Sequence, residues 1–269
     1  MDESLRYEKL DGGVAIVSNT DAPLNRMSLA YIERLGEVVE DIAGDEEIRA
    51  FVITADGLDN FSVGMNLKEL PKGLEEAGGV DEFFDQRLEL IQRIETMGKP
   101  SVATLFGHCL GAGLELPLGC TFRLAASEGA SIGLPEMHLG VTPAWGGSAR
   151  LSKTVGRQHA LDMILRAKTL SGPEAKAIGL VDEVWPLDEL KNRATDLAVE
   201  LARQPARVVR GVVDALYDCE RRTLADLLAA ERQALYATLG SDDAREGMLA
   251  FLEKRTPVFN RNPGNSPPN

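Results

Sequence analysis

The sequence predicts an α/β protein with a mainly parallel β-sheet, followed by a helical C-terminal region. Over the first two thirds of the chain, short apolar runs alternate with amphipathic helical patterns, and this alternation is typical of parallel strands joined by crossover helices. The pattern changes near residues 185–205, and from there nearly every segment has helical periodicity. These amphipathic helices must pack on the core, on another copy of the chain, or on both.

The composition is that of an ordinary globular protein and excludes several classes of partner. The chain has 269 residues, of which 44% are hydrophobic and 26% charged, with a net charge of −13. Nucleic acids and anionic membranes require an excess of Lys and Arg, so neither is an expected partner. No apolar run is long enough to span a bilayer, and the N-terminus shows no hydrophobic signal segment. Since Cys109, Cys120 and Cys219 lack metal-ligand spacing, we expect buried thiols in a reducing cytoplasm.

The first part of the chain predicts three buried strands. Short, apolar and partly β-branched runs predict strands over 14–18, 50–54 and 101–106. Between the first two, Ser28 is a suitable N-cap for a helix in which apolar residues recur at helical spacing. This strand–helix–strand order favours a parallel arrangement.

Helices dominate the predictions for the rest of the chain. Residues 71–80 are rich in glycine and charge and predict a mobile loop, whereas 83–97 predict a helix. The apolar face of that helix is predicted to consist of Phe84, Leu88, Ile91 and Ile94. Further helices are predicted over 152–168, 171–179, 187–204, 206–217, 223–240 and 242–254, with a short strand over 181–184.

The stretch after the third strand carries the candidate chemistry. Gly107, Gly111 and Gly113 follow the strand, and a helix opens directly behind them. A strand that breaks into glycines and then enters a helix leaves free backbone N–H groups that converge on one spot. Such a spot suits a negative charge that develops on oxygen. Glu115 and Glu136 follow closely, so the sequence predicts an active site built from two carboxylates and this N–H cluster.

Four motifs in order resemble the enoyl-CoA hydratase/isomerase (crotonase) superfamily. They are residues 61–67 (Phe-Ser-Val-Gly-Met-Asn-Leu), residues 107–116, Pro135-Glu136 with Leu139-Gly140, and residues 142–147 (Thr-Pro-Ala-Trp-Gly-Gly). The segment 246–255 also resembles the closing helix of the family. The resemblance covers about the whole chain. It implies a spiral of β-β-α units over 1–195 and a helical region over 196–269 that assembles homotrimers, usually two trimers per hexamer.

The resemblance also implies roles for individual residues. The backbone N–H groups of Met65 and Ala112 would bind the thioester carbonyl oxygen, Glu115 would orient the attacking water, and Glu136 would handle the proton at the α-carbon. Ala112 stands where the family often has glycine, and a backbone donor survives that change if its φ is negative. The residues expected to bind the substrate are Ala22, Leu24, Arg26, Gly64, Asn66, Leu67, Gly111, Trp145, Phe251 and Lys254.

The chain departs from the family pattern at two places. Asn66 stands where the family usually has Asp, which removes a charge beside the first oxyanion donor. Residues 20–24 lack the Arg or Lys that often contacts the coenzyme A phosphates, so Arg26, Lys68 or Lys254 of a neighbouring copy would have to replace it.

The function that follows from the resemblance is hydration of a 2-enoyl-CoA thioester, with coenzyme A as part of the substrate and neither a metal nor a redox cofactor. Another reaction of the superfamily is the alternative: isomerase, hydratase-lyase, hydrolase or decarboxylase. No tyrosine lies beside a motif, which disfavours a phenolic substrate. A non-catalytic acyl-CoA-binding subunit is a further alternative, although both glutamates are retained.

Overall fold

The computed structural model describes residues 4–217 and 222–261, and in these residues two β-sheets are surrounded by helices. The strands are β1 (Leu5–Leu10), β2 (Val14–Asn19), β3 (Ala50–Ala55), β4 (Ser101–Leu105), β5 (His108–Leu110), β6 (Phe122–Ala126), β7 (Ser131–Gly133), β8 (Thr169–Leu170) and β9 (Glu183–Trp185). The helices are α1 (Leu29–Gly44), α2 (Leu70–Ala77), α3 (Val80–Thr96), α4 (Ala112–Glu115), α5 (Gly147–Leu165), α6 (Gly172–Ala177), α7 (Leu187–Ala202), α8 (Ala206–Leu216), α9 (Leu224–Thr238) and α10 (Asp242–Glu253).

The larger sheet confirms the predicted parallel arrangement. Its strand order is β1-β2-β3-β4-β6-β9, and every neighbouring pair is parallel except β1 with β2. β3 and β4 are buried along their whole length, as expected for strands covered on both faces. β1 was not predicted, because half of its residues, Leu-Arg-Tyr-Glu-Lys-Leu, are charged and it pairs only at the edge of the sheet.

The smaller sheet has the order β5-β7-β8 and stands beside the large sheet where β4 ends. β5 and β7 are parallel, and β8 runs antiparallel to β7. Three short 3-10 turns, Leu67–Glu69, Pro117–Gly119 and Glu136–Leu139, complete the region that carries the sequence motifs.

The predicted helix after Ser28 is confirmed. The Ser28 hydroxyl oxygen accepts a hydrogen bond from the N–H of Tyr31, which satisfies one of the free donors at the start of α1. One face of α1 is buried in the core and carries Tyr31, Leu35, Val38, Val39 and Ile42. That apolar stripe has the helical spacing on which the prediction depended.

The prediction of a mobile loop over 71–80 is wrong, because most of this segment forms α2. Pro71 lies in the first turn, where its missing N–H costs nothing, and Gly78 ends the helix with a φ of 92°. Gly73 is buried, and a Cβ there would lie 2.5 Å from the ring of Phe83. The glycines of this segment therefore permit close packing and termination of a helix rather than disorder.

The C-terminal region is helical, as predicted. α7 packs on β2, β3, β4, β6 and β9, and the predicted domain boundary at residue 195 falls inside this helix, so the division of the chain stays a prediction. α8 and α9 pack on each other. None of the helices in the described part of the chain is long and apolar enough to cross a membrane. Cys109 and Cys120 are buried free thiols, as predicted, whereas Cys219 lies outside the described residues.

Candidate active site

The site begins where the chain leaves the large sheet. After β4, Gly107 adopts a φ of 51°, and a Cβ there would overlap the backbone of Asp59. Only glycine fits this combination of left-handed backbone and close approach. The chain then enters β5 of the small sheet, and Gly111, with a φ of 55°, turns it into α4.

A second segment, residues 61–65, pairs with β5 and approaches the start of α4. The Ser62 N–H donates to the His108 carbonyl at 3.0 Å, and the Leu110 N–H donates to the Ser62 carbonyl at 3.1 Å. Gly64 comes so close that a Cβ would lie 2.8 Å from the Leu110 oxygen and 3.8 Å from the Ala112 nitrogen. The residue after Gly64 therefore has its amide near the amide of Ala112.

The amides of Met65 and Ala112 are the two members of the predicted N–H cluster, and their role stays a prediction. Among the hydrogen bonds of the described loops, turns and caps, neither amide has a backbone acceptor. Ala112 is the first residue of α4, where an N–H has no acceptor within the helix, and its φ is not among the positive values. The alanine thus preserves the backbone donor. Both N–H groups are available to an external oxygen.

Glu115, the last residue of α4, is buried with 2% of its surface exposed. Its Oε1 accepts hydrogen bonds from the N–H groups of Trp145 at 2.8 Å and Gly147 at 2.9 Å. A Cβ on Gly147 would lie 2.7 Å from the same oxygen, so only the absence of a side chain allows the loop to approach and hydrogen-bond the carboxyl group. Burial raises the pKa of Glu115 to about 7, although the two N–H groups act in the opposite direction.

Glu136 faces the same region from the next loop. It opens the 3-10 turn Glu136–Leu139, and its Oε1 would lie 2.8 Å from a Cβ on Gly111. Its Oε2 is buried without a hydrogen-bond partner in the described structure. Burial raises the pKa of Glu136, and the proximity of its charge also raises the pKa of Glu115. Two carboxyl groups with raised pKa values, one of them with an oxygen that has no partner, are suited to proton transfer.

Trp145 closes the site on the side of α3. Its side chain is buried, and together with Met65, Phe83 and Arg87 it lines a small cavity of about 10 Å³, about the size of one water molecule. Arg87 was not predicted as a site residue. The available signal was its position on the apolar face of α3, four residues after Phe83 and four before Ile91.

The predicted substrate-binding residues on the first loop lie next to this region. Leu24 is exposed, and its carbonyl accepts a hydrogen bond from the Val63 N–H at 3.1 Å, so the loop with Ala22 borders the segment that carries Met65. Arg26 forms a two-point ion pair with Asp21, with Nε to Oδ2 at 2.7 Å. Its role toward the phosphates stays a prediction.

The remaining predicted binding residues fall into two groups. Asn66 donates from Nδ2 to Glu69 Oε1 at 2.7 Å, and Leu67 beside it is exposed. Phe251 and Lys254 lie at the end of α10, where Phe251 is 82% exposed, and their role depends on a neighbouring copy of the chain. It stays a prediction.

Comparisons with known proteins agree with this geometry. The family model "Enoyl-CoA hydratase/isomerase" matches residues 10–262. A probable enoyl-CoA hydratase of Bacillus subtilis is 34% identical over 254 residues, which is 93% of this chain and 96% of the relative. The 2,3-dehydroadipyl-CoA hydratase of Escherichia coli is 34% identical over 241 residues, 90% of this chain and 92% of the relative.

Among solved structures, the enoyl-CoA hydratase of Bacillus anthracis superposes with a TM-score of 0.89 at 31% identity, and the match covers 95% of this chain and 98% of the other. The predicted crotonase fold, with its helical C-terminal region, is therefore confirmed. The chain belongs to the enoyl-CoA hydratase/isomerase family, the crotonase superfamily.

Proposed function

We propose that this protein is an enoyl-CoA hydratase, which adds water reversibly to the double bond of a 2-enoyl-CoA thioester. The observation that carries the proposal is the pair of carboxyl groups at the start of α4: Glu115 is buried against Gly147, and the half-buried Glu136 lies against Gly111. The names of the Bacillus subtilis and Escherichia coli relatives support hydration over the other reactions of the superfamily.

In the proposed mechanism, the N–H groups of Met65 and Ala112 donate to the thioester carbonyl oxygen. Attack on the β-carbon moves negative charge onto that oxygen, and donors already in position stabilise the charge without reorganisation. The N-terminus of α4 adds the favourable end of its dipole. Removal of one such donor typically costs ~3 kcal/mol of transition-state stabilisation.

The two carboxyl groups divide the proton transfers. Glu115, as the ionised carboxylate, orients the water and takes a proton from it while the hydroxyl group bonds to the β-carbon. Glu136, in its protonated form, delivers a proton to the α-carbon. The pair holds one proton before and after the reaction, so a proton exchange between the two groups restores the starting state. A pKa of about 7 for Glu115 suits this shared proton near neutral pH.

The experiment follows the ultraviolet absorbance of a conjugated enoyl-CoA as the double bond is hydrated, with identification of the product. Wild type should form the 3-hydroxyacyl-CoA. Glu115→Gln and Glu136→Gln should each lower kcat by roughly 10²–10⁴-fold, because each removes one proton-transfer group and keeps its shape. A different product would favour another reaction of the superfamily, and full activity in both variants would refute the mechanism.

The proposal needs no metal and no redox cofactor, because hydration transfers only protons and water. Coenzyme A enters as part of the substrate. Arg26, Lys68, or Lys254 of a neighbouring copy are the proposed contacts for its phosphates. Exchange of each for methionine should raise KM for the coenzyme A thioester if it makes such a contact.

We also propose that the protein forms a homotrimer or a dimer of trimers in the cytoplasm. Exposed apolar side chains on the last two helices support self-association: Leu224, Leu228, Leu235, Tyr236, Met248, Leu249, Phe251 and Leu252. A patch of this kind is costly in water unless another surface covers it. Sedimentation equilibrium distinguishes the assemblies by mass.

A further inference from the structure

Arg87 is a buried cation without an acidic partner. Only 5% of its surface is exposed, and none of the ion pairs among the described residues includes it. Nη1 donates to the Phe83 carbonyl at 2.8 Å and to Gln86 Oε1 at 3.1 Å, whereas Nε is buried with no partner. Burial lowers the pKa of Arg87 to about 10, so the side chain remains a cation at neutral pH. An uncompensated charge in this position is costly.

The guanidinium lies beside the candidate active site. Its carbon is 3.4 Å from the ring centre of Phe83 and 6.0 Å from that of Trp145. It shares the small cavity with Met65, whose amide is a proposed oxyanion donor, and with Trp145, whose N–H holds Glu115. The guanidinium therefore lies beside the two segments that carry the proposed chemistry.

Arg87 also lines a larger cleft. This cleft, of about 390 Å³, lies between α1, α2 and α3, and Leu29, Ile32 and Arg87 line both it and the small cavity. Its volume is in the range of small-molecule sites. The guanidinium thus stands at the boundary between the site of chemistry and a space that can receive the distal part of an acyl chain.

None of the neighbouring carboxylates in the described part of the chain forms an ion pair with this cation. Glu69 accepts hydrogen bonds from the Leu29 N–H and from Asn66 Nδ2, both at 2.7 Å. Glu76 lies on the rim of the cleft, where it is exposed and pairs with Lys72 at 3.5 Å. Glu33 is exposed on the same rim. The space in front of Arg87 is therefore open to an anion from outside the chain.

We propose that Arg87 binds a carboxylate at the distal end of the acyl group, so that the preferred substrate is an enoyl-CoA with a terminal carboxylate. This inference rests on the proposed function and specifies its substrate class. A planar guanidinium matches a carboxylate with paired hydrogen bonds, which are strong when both groups are withdrawn from water. A purely apolar acyl chain would cover the cation and offer it no acceptor.

The test measures binding rather than turnover. Saturated acyl-CoA thioesters of increasing length, each with a free terminal carboxylate, are compared by calorimetry with their terminal methyl esters, which remove the charge and add one methyl group. Wild type should bind the carboxylate at least about tenfold more tightly at the best length. Arg87→Met should abolish or reverse this preference, and Arg87→Lys should retain part of it.

Arg93→Met is the matched control. Arg93 lies on the same helix and forms an exposed ion pair with Glu40, so its loss changes the net charge equally and leaves the cavity intact. This variant should keep the full preference for the carboxylate. A purely structural Arg87 would affect both ligands of each pair to the same extent.

Equal binding of carboxylate and ester by wild type at every length would overturn the proposal, and so would an unchanged preference in Arg87→Met. Because the ligands are saturated, the result does not depend on hydratase activity. A protein that hydrates enoyl-CoA without this preference would refute only the role of Arg87. A protein that shows the preference without hydration would refute only the proposed reaction.

Discussion

Replacement of Glu115 by glutamine should make the folded protein more stable while it removes the proposed chemistry. Glutamine keeps an Oε1 that can accept from the N–H groups of Trp145 and Gly147, and it carries no charge that burial penalises. The wild-type carboxyl group, in contrast, must ionise in a buried place. Its pKa is raised from 4.5 to about 7 in the folded state, mainly by burial.

The sign and size of the effect follow from this shift. Between these two pKa values the folded state binds more protons at Glu115 than the unfolded state, so wild-type stability falls as pH rises through that window. The shift from 4.5 to about 7 corresponds to roughly 3 kcal/mol at about 1.4 kcal/mol per unit. Glu115→Gln does not lose this free energy of unfolding, because glutamine does not ionise. Its advantage should be about 1 kcal/mol near pH ~5.5 and about 3 kcal/mol near pH ~8.

Urea unfolding at fixed protein concentration, followed by circular dichroism at both pH values, measures the difference. Glu89→Gln removes an exposed glutamate from α3 and controls for the change in net charge. An advantage that is absent at the higher pH, or equal at the two pH values, would refute the argument that burial raises the pKa of Glu115. A less stable Glu115→Gln would show that the two N–H groups require the charge.

Two further predictions test the geometry of the site. Gly64→Ala should lower kcat by about 100-fold with a smaller effect on KM. Gly64 has a φ of 99°, and a Cβ there would lie 2.8 Å from the Leu110 oxygen, so the new side chain would displace the Met65 amide. Steady-state kinetics on one enoyl-CoA measures the effect, and an unchanged kcat would contradict the assignment of Met65 as a donor. The value of kcat/KM should fall above about pH 7, where Glu115 and Glu136 lose the proton that they share. Glu136→Gln should change the shape of this decrease. A value of kcat/KM that stays constant across the neutral range would contradict the shared proton.

The sequence was sufficient where local pattern and tertiary structure agree. The strands that became β2, β3 and β4 are short apolar runs, and the buried face of α1 repeats at helical spacing, so each was predicted within a residue or two. The glycines before α4 likewise indicated free N–H groups, because few structures other than a strand-to-helix turn require so many in that order.

The errors arose where tertiary contacts decide. α2 contains Pro71 and Gly73, which local propensity assigns to a loop, but the burial of Gly73 against Phe83 stabilises a helix. The buried face of α3 was predicted one residue out of place near its start: it carries Phe83 and Arg87 rather than Phe84 and Leu88. A charged residue in that face obscured the pattern, since periodicity assumes that buried positions are apolar.

The two hydrogen bonds to Glu115 Oε1 could not be predicted from the sequence either. The N–H groups of Trp145 and Gly147 lie about thirty residues further along the chain, and only the fold brings them to Oε1. The motif 142–147 marked that loop as part of the site but did not say what it contacts. Hydrogen bonds from backbone groups leave no trace in residue type, apart from the small size of Gly147.

Gly107, where the chain passes from β4 to β5, belongs to a part of the molecule in which few substitutions are tolerated, whereas the surface around the larger cleft tolerates more. A side chain at this position would collide with Asp59, so the path from β4 to β5, and with it the placement of both donors, tolerates little variation. On the wall formed by α1, α2 and α3, Gly73 is restricted in the same way by the ring of Phe83, whereas a side chain at Gly36 would meet open space. New substrate preferences should therefore arise by exchange of side chains on that wall, and a library for directed evolution is best confined to it.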